Sequence, residues 1–187
     1  MPNWCQNTLI IKGPTEDVTR LLEAVEGSDT KLSLRKIITT PEELQSKSSP
    51  NRDEDDVKRL TELYGAKDWY DWQVANWGTK WDIEATIYDD SMSRSPGYST
   101  YTDPEERVVQ MSFDSAWSPP IPAIAMLAKQ FPNTNIYHSY DESGCDFAGY
   151  NMYSKGRCIK EVEWPSYSHI RTYIEPDADI FDYFPED

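Results

Sequence analysis

Thr8-Leu9-Ile10-Ile11-Lys12, closed by Gly13-Pro14 and followed by Thr15-Glu16-Asp17-Val18, is the stretch on which the fold turns. Five residues rich in β-branched and long aliphatic side chains favour a strand, and the Gly-Pro pair ends it. Glu16 and Asp17 then place negative charge where the start of a helix dipole favours it. Val18, Leu21, Leu22 and Val25 recur at helical spacing up to Gly27, so a helix is predicted from Thr15 to Glu26. A central strand running straight into an amphipathic helix is the first half of a βα unit.

Working outward, Ile83 to Tyr88 and Arg107 to Phe113 read as two strands of a long antiparallel hairpin, joined by a loop from Asp89 to Glu106 rich in Ser, Gly, Pro and Tyr. Ser118 stands as N-cap ahead of Pro119 and Pro120, and Ile121, Ile124, Ala125, Leu127, Ala128 and Phe131 form the apolar face of a second helix ended by Pro132-Asn133. Asn135 to Tyr140 and Phe147 to Ser154 pair around the turn Asp141-Glu142-Ser143-Gly144. The order is β-α-(insertion)-β-β-α-β with one extra C-terminal strand. That is an α+β sandwich of the split βαβ, ferredoxin-like kind.

Residues 31–82 read as a helical insertion within a domain spanning 1–160. In it Leu32, Leu34 and Ile37-Ile38 fit a short strand or extended loop, and Pro41-Glu42-Glu43-Leu44 starts a helical turn. A polar, turn-forming stretch follows. Asp53-Glu54-Asp55-Asp56 then leads into Val57, Leu60, Leu63 and Tyr64, an amphipathic helix stopped by Gly65. Residues 161–187 form an acidic, aromatic tail, either pinned by Ile180, Phe181, Tyr183 and Phe184 or disordered.

The 187 residues carry 33 Asp and Glu against 18 Lys and Arg, a formal net charge of −15. Such a surface repels phosphate backbones and anionic headgroups, so no direct nucleic-acid binding is expected unless an aromatic pocket supplies base stacking. No apolar run approaches the length of a membrane span and the first residues lack the pattern of a signal peptide, so a soluble cytoplasmic protein with no membrane contact is expected. Cys5, Cys145 and Cys158 are then reduced thiols. With no C-x-x-C pair and only His138 and His169, neither a metal nor a cofactor is expected. G-x-G-x-x-G, the P-loop, G-x-S-x-G and H-E-x-x-H are all missing, which tilts the reading away from an enzyme.

Four groups of residues offer chemistry. Trp77, Trp81 and Trp117, with Lys80 and Asp114, can line one aromatic site for a base, a planar ligand or a partner side chain; the plainer alternative is that the indoles wedge the insertion against the sheet. Asp82, Glu84 and Asp114 are an acid-base pair or metal site if they converge, and solvated carboxylates if they do not. His138, near Tyr140, Asp141 and Cys145, is a candidate Cys-His nucleophile or a hydrogen-bonded strand histidine. The acidic runs Asp53, Glu54, Asp55 and Asp56, Asp89 and Asp90, and Glu105 and Glu106 can present carboxylates spaced like phosphates to a basic channel, or serve solubility alone.

The opening Pro2-Asn3-Trp4-Cys5-Gln6-Asn7-Thr8-Leu9, the segment Asn76-Trp77-Gly78-Thr79-Lys80-Trp81-Asp82 and the segment Phe113-Asp114-Ser115-Ala116-Trp117-Ser118-Pro119-Pro120 together resemble the YubB/Api92-like family of plasmids, genomic islands and phages. The resemblance spans roughly Met1 to Lys155 and leaves out the stretch between Ser46 and Asp68 and the tail after Trp164. It implies a ferredoxin-like domain in a mobile-element setting and transfers no catalytic residue. The expectation is an accessory protein in a bacterial host's cytoplasm that binds and inhibits a host defence or DNA-handling protein with a basic surface, its acidic face acting as decoy. The alternative is a ligand-binding protein whose tryptophan-lined pocket takes a nucleotide-like small molecule. Metal-assisted or acid-base catalysis by Asp82, Asp114 or His138, and single-strand recognition on the sheet, stand behind these two.

Overall fold

The predicted first strand becomes β1, Trp4–Pro14, and runs directly into α1, Thr15–Val25. In the computed structural model, which describes residues 2–90, 105–164, 166 and 184, the remaining strands are β2 (Thr86–Asp90), β3 (Glu106–Ala116), β4 (Asn135–Glu142), β5 (Phe147–Ser154) and β6 (Arg157–Trp164). They form one sheet in the order β2-β3-β1-β4-β5-β6, with every neighbouring pair antiparallel. The first four strands, with α1 crossing from β1 and α6 (Ile121–Gln130) crossing from β3, are the ferredoxin-like core.

Two strands, rather than one, extend that core. β6 follows the tight turn at Lys155 and Gly156, whose φ angles are 52° and 75°, and it crosses the boundary drawn at residue 160. As an outer strand it keeps both faces partly in water, so its sequence lacks the apolar alternation that marks β1 and β3.

The insertion is helical: α2 (Leu34–Ile37), α3 (Glu42–Gln45), α4 (Glu54–Tyr64) and α5 (Trp69–Trp77). α2 replaces the short strand or loop expected there, because the Asp82 carboxylate accepts from the Leu34 N–H at 2.6 Å and the Ser33 hydroxyl at 2.7 Å and so caps the turn. α5 escapes a periodicity argument because its apolar residues do not form one stripe. Its signals are at its ends. The Asp68 carboxylate accepts from the Asp71 N–H at 3.1 Å, and Gly78 closes the helix at φ 88°, where a Cβ would lie 2.6 Å from Pro122 Cδ. Ser118 is not the cap of α6; that position is Pro120, and the Ser118 hydroxyl instead donates to the Gly78 carbonyl at 2.6 Å.

One core joins sheet and insertion. Leu9 and Ile11 of β1 and Val109, Met111 and Phe113 of β3 pack beneath Val18 and Leu21 of α1 and Ile124 and Leu127 of α6, and Leu34, Leu44, Leu60, Trp72 and Trp77 belong to the same cluster. The insertion is therefore no separate unit, and each large side chain it buries contributes about 1.5–3 kcal/mol. On the opposite face Phe184 is buried with Tyr137 and Met152, flanked by Ile10 and Tyr150. Of the four proposed tail anchors, Phe184 thus seats on the sheet, while Ile180, Phe181 and Tyr183 lie outside the described residues. No helix among the described residues is long and apolar enough to cross a membrane.

Candidate functional site

Strand alternation decides which side chains face water. Cys5, Asn7, Leu9 and Ile11 turn toward the helices, so Trp4, Gln6, Thr8, Ile10 and Lys12 turn to the open face of the sheet. Gln6 lies opposite Asp114 of β3 on one side and Asp141 of β4 on the other. Asp141 in turn faces Ala148 of β5, which faces Trp164 of β6. Thr86 pairs with Ser112, which brings Glu84, two residues earlier, into line with Asp114. An acidic row, Glu84-Asp114-Gln6-Asp141, therefore crosses the sheet and ends at Trp164. Beside it runs a row of hydroxyls, Thr86-Ser112-Thr8-Ser139.

These two rows line a groove of about 570 Å³. Among the described residues, the ion pairs join Lys12, Arg20, Lys31, Lys47, Arg59 and Lys67 to other acids, and none involves Glu84, Asp114 or Asp141. Burial, together with the negative charges of Asp114 and Glu142, pushes the Asp141 carboxyl above its ordinary range. Among the described residues, no ion pair offsets the negative charge of the groove.

The tryptophans separate into core and surface. Trp77 is fully buried, donates its indole N–H to the Ile38 carbonyl at 2.8 Å and packs edge-on against Trp72. Trp81 is 39% and Trp117 48% exposed, so the three indoles do not share a cavity, and none of them lines the groove. The cause is local: α5 carries Trp77 inward, and the left-handed Gly78 then reverses the chain so that Trp81 emerges at the surface. Its neighbour there is Trp4, half exposed and 6.2 Å away between ring centroids. Lys80 sits over Trp81 at 4.5 Å and near Tyr70 at 5.6 Å, a cation–π contact. Trp117 holds φ 75°, unusual for a bulky residue, and donates its backbone N–H to the Asn3 carbonyl at 3.0 Å.

The remaining candidates resolve as structural parts. Asp82 is spent on capping α2 and does not join Glu84 and Asp114, and no three His, Cys, Asp or Glu side chains among the described residues group as a metal site. Asp53 caps α4 by accepting from the Asp56 N–H at 3.1 Å. Asp56 pairs with Lys47 and with Arg59 at 3.0 Å, and Glu43 pairs with Arg59 at 2.5 Å. These bonds hold the Glu43 and Asp56 carboxyls below their ordinary range. Glu106 lies 3.5 Å from Lys12, while Glu54, Asp55 and Glu105 are exposed. Asp89 and Asp90 lie on β2, with their side chains outside the described residues, as is His169.

His138 and Cys145 do not meet. His138 is fully buried and desolvation lowers its pKa to about 3, whereas Cys145 is exposed, with its thiol raised by the neighbouring Glu142 carboxylate. His138 instead belongs to a buried network. The Asn7 amide nitrogen donates to the Cys5 carbonyl at 2.8 Å and the Ser115 hydroxyl at 2.9 Å, leaving its oxygen to accept; His138 Nε2, 3.0 Å away, therefore carries the imidazole proton. Ser115 donates onward to the Ser118 carbonyl at 2.8 Å. Burial pushes the Cys5 thiol up to about 12, so the network holds no thiolate and no charged imidazole at neutral pH. It locks the start of β1 to β3 and β4.

Sequence reasoning missed Asp141 as a member of the groove, Trp4 as the surface neighbour of Trp81 and Asn7 as the hub of the buried network. The period-2 pattern of β1, extended back from Leu9, is the signal that sorts Trp4 and Asn7 to their faces, whereas Asp141 is placed by the register of β4 on β1.

A split βαβ core with a widened sheet, helices on one face and a polar groove on the other, defines an α+β ferredoxin-like domain. Residues 97–182 match the family model described as the ferredoxin-like domain in Api92-like protein. Over 66 residues, 33% of this chain, the sequence is 35% identical to the uncharacterised protein YubB of Escherichia coli K12, and the match spans 45% of that relative. The crystal structure of the protein Api92 from Yersinia pseudotuberculosis aligns with a TM-score of 0.51 over 88% of this chain and 98% of that one; at 12% identity this likeness speaks for the fold. Residues 97–182 are thus similar to the ferredoxin-like domain in Api92-like protein, and the fold is similar to that of Api92 itself. The model match reaches past Trp164, into the tail that the motifs left out.

Proposed function

We propose that the protein works by binding a basic surface of another protein through the open face of its sheet, and by blocking that surface as an acidic decoy. The carrying observation is that Glu84, Asp114 and Asp141 share one groove with no lysine or arginine of the described chain paired to them. Burial and the neighbouring carboxylates together raise Asp141; a cation placed there offsets both, whereas a phosphate backbone adds to the repulsion. The mobile-element setting implied by the resemblance suggests a host defence or DNA-handling protein as the partner, since such proteins carry basic channels. The decoy surface is then this groove, and not the run Asp53–Asp56, whose charges are partly committed to a helix cap and to Lys47 and Arg59. A nucleotide-like ligand among Trp77, Trp81 and Trp117 loses its support, because Trp77 is in the core.

The test compares what the wild-type protein and the double variant Asp114→Asn/Asp141→Asn retain from a bacterial lysate. A basic protein held by the wild type at low salt, released as salt rises and retained about tenfold less by the variant supports the reading. Equal retention on both, or none on either, overturns it.

A further inference from the structure

The acidic row has a spacing, and the spacing selects an occupant. Asp114 and Asp141 flank Gln6 from the two neighbouring strands, so they stand two inter-strand steps apart, about 9.5 Å. In an extended β-strand, side chains on one side recur every second residue, about 6.7 Å apart. In a polyproline II helix they recur every third residue, about 9.3 Å apart. The second period matches the carboxylates and the first does not.

The neighbouring row favours the same occupant. A segment crossing the sheet face cannot join its ladders, because the backbone groups of β3, β1 and β4 are already paired with one another. A polyproline II backbone has no internal hydrogen bonds, so its carbonyls are free to exchange water for hydroxyls on the surface. Thr86, Ser112, Thr8 and Ser139 set hydroxyls one after another along the line such a segment takes; that of Ser139 is also bonded to the Tyr137 hydroxyl. Trp164 closes one end of the groove, and beyond the small Ala148 its indole offers the aromatic wall that proline-rich segments use.

Resting on the binding function proposed above, we propose that the open face recognises a proline-rich basic segment of the partner in polyproline II form, lying across β3, β1 and β4 with cationic side chains at positions i and i+3 on Asp114 and Asp141. Arginine suits these sites better than lysine, since its planar fork matches a carboxylate with two hydrogen bonds.

The test titrates the intact protein with two blocked proline-rich peptides of identical composition, one with arginines three residues apart and the other with arginines two residues apart, by calorimetry at low salt. The expected result is about tenfold tighter binding of the first, lost on Asp141→Asn with the melting temperature preserved. A second variant, Trp164→Ala, weakens both peptides. Equal affinities, or binding that survives Asp141→Asn, overturn the proposal. If neither peptide binds while the double variant still loses a basic protein from the lysate, this proposal fails and the acidic-face function stands. If the variant loses nothing, both fail.

Discussion

The two faces of the sheet are made from the same strands, one residue out of step, and they serve different ends. Leu9, Ile11, Met111 and Phe113 face the helices and carry the stability, along with the buried network around Asn7. Gln6, Thr8, Ser112 and Asp114, their immediate neighbours in sequence, turn the other way and line the groove. The difference teaches that in this chain a residue's parity along a strand separates structural from functional roles more sharply than its chemistry does. His138 and Cys5, the reactive types, are on the structural side together with Ser115, while Thr8, Thr86, Ser112 and Ser139 line the groove on the other.

The largest effect should come from the covered side. Trp77→Ala removes a fully buried indole and strands the Ile38 carbonyl, so it should cost about 3–5 kcal/mol by denaturant unfolding. If it costs no more than Trp81→Ala, the division of the tryptophans is wrong. His138 sharpens the same side through pH. Its folded pKa lies near 3, below the ordinary 6.5, so between those values the unfolded chain binds a proton that the folded chain refuses. Its share of stability is complete above pH 6.5 and falls with acidification, by up to about 1.4 kcal/mol per pH unit. The wild-type curve minus that of His138→Asn isolates it, and a flat difference contradicts its burial as a neutral ring.

Phe184→Ala probes the apolar end of the open face and should cost about 1.5–3 kcal/mol, read as a lowered denaturant midpoint. An unchanged midpoint would detach the tail from the fold. The smallest effect belongs to the groove itself. Asp114→Asn/Asp141→Asn should leave stability within about 0.5 kcal/mol of wild type at pH 7, since it removes a repulsion and no ion pair. A large loss there would make the acidic row part of the scaffold.

Much of the fold was legible in the sequence because the core strands obey period 2 and α1 and α6 obey period 3.6. What was not legible had physical causes. β6 is an outer strand with water on both sides, so Arg157 to Trp164 carries no one-sided apolar pattern. α5 is defined by the Asp68 cap and Gly78 stop more than by an apolar stripe. The aromatic site was misassembled, since Trp77 and Trp81 are close in sequence but the left-handed Gly78 sends them to opposite environments, and the true neighbour of Trp81 is Trp4, far away in the chain. Asp114 was singled out as a binding residue. Its counterpart Asp141 was read as a turn residue because the strand register that aligns the two is a tertiary fact.

The most direct measurement is the set of backbone amide shifts when an arginine-rich peptide is added to the isotope-labelled protein at low salt. The account predicts shifts confined to the open-face rows, centred on Gln6, Thr8, Ser112, Asp114, Ser139 and Asp141, and abolished in the double asparagine variant. Shifts spread instead over Glu54, Asp55 and Glu105, and unaffected by that variant, would contradict it.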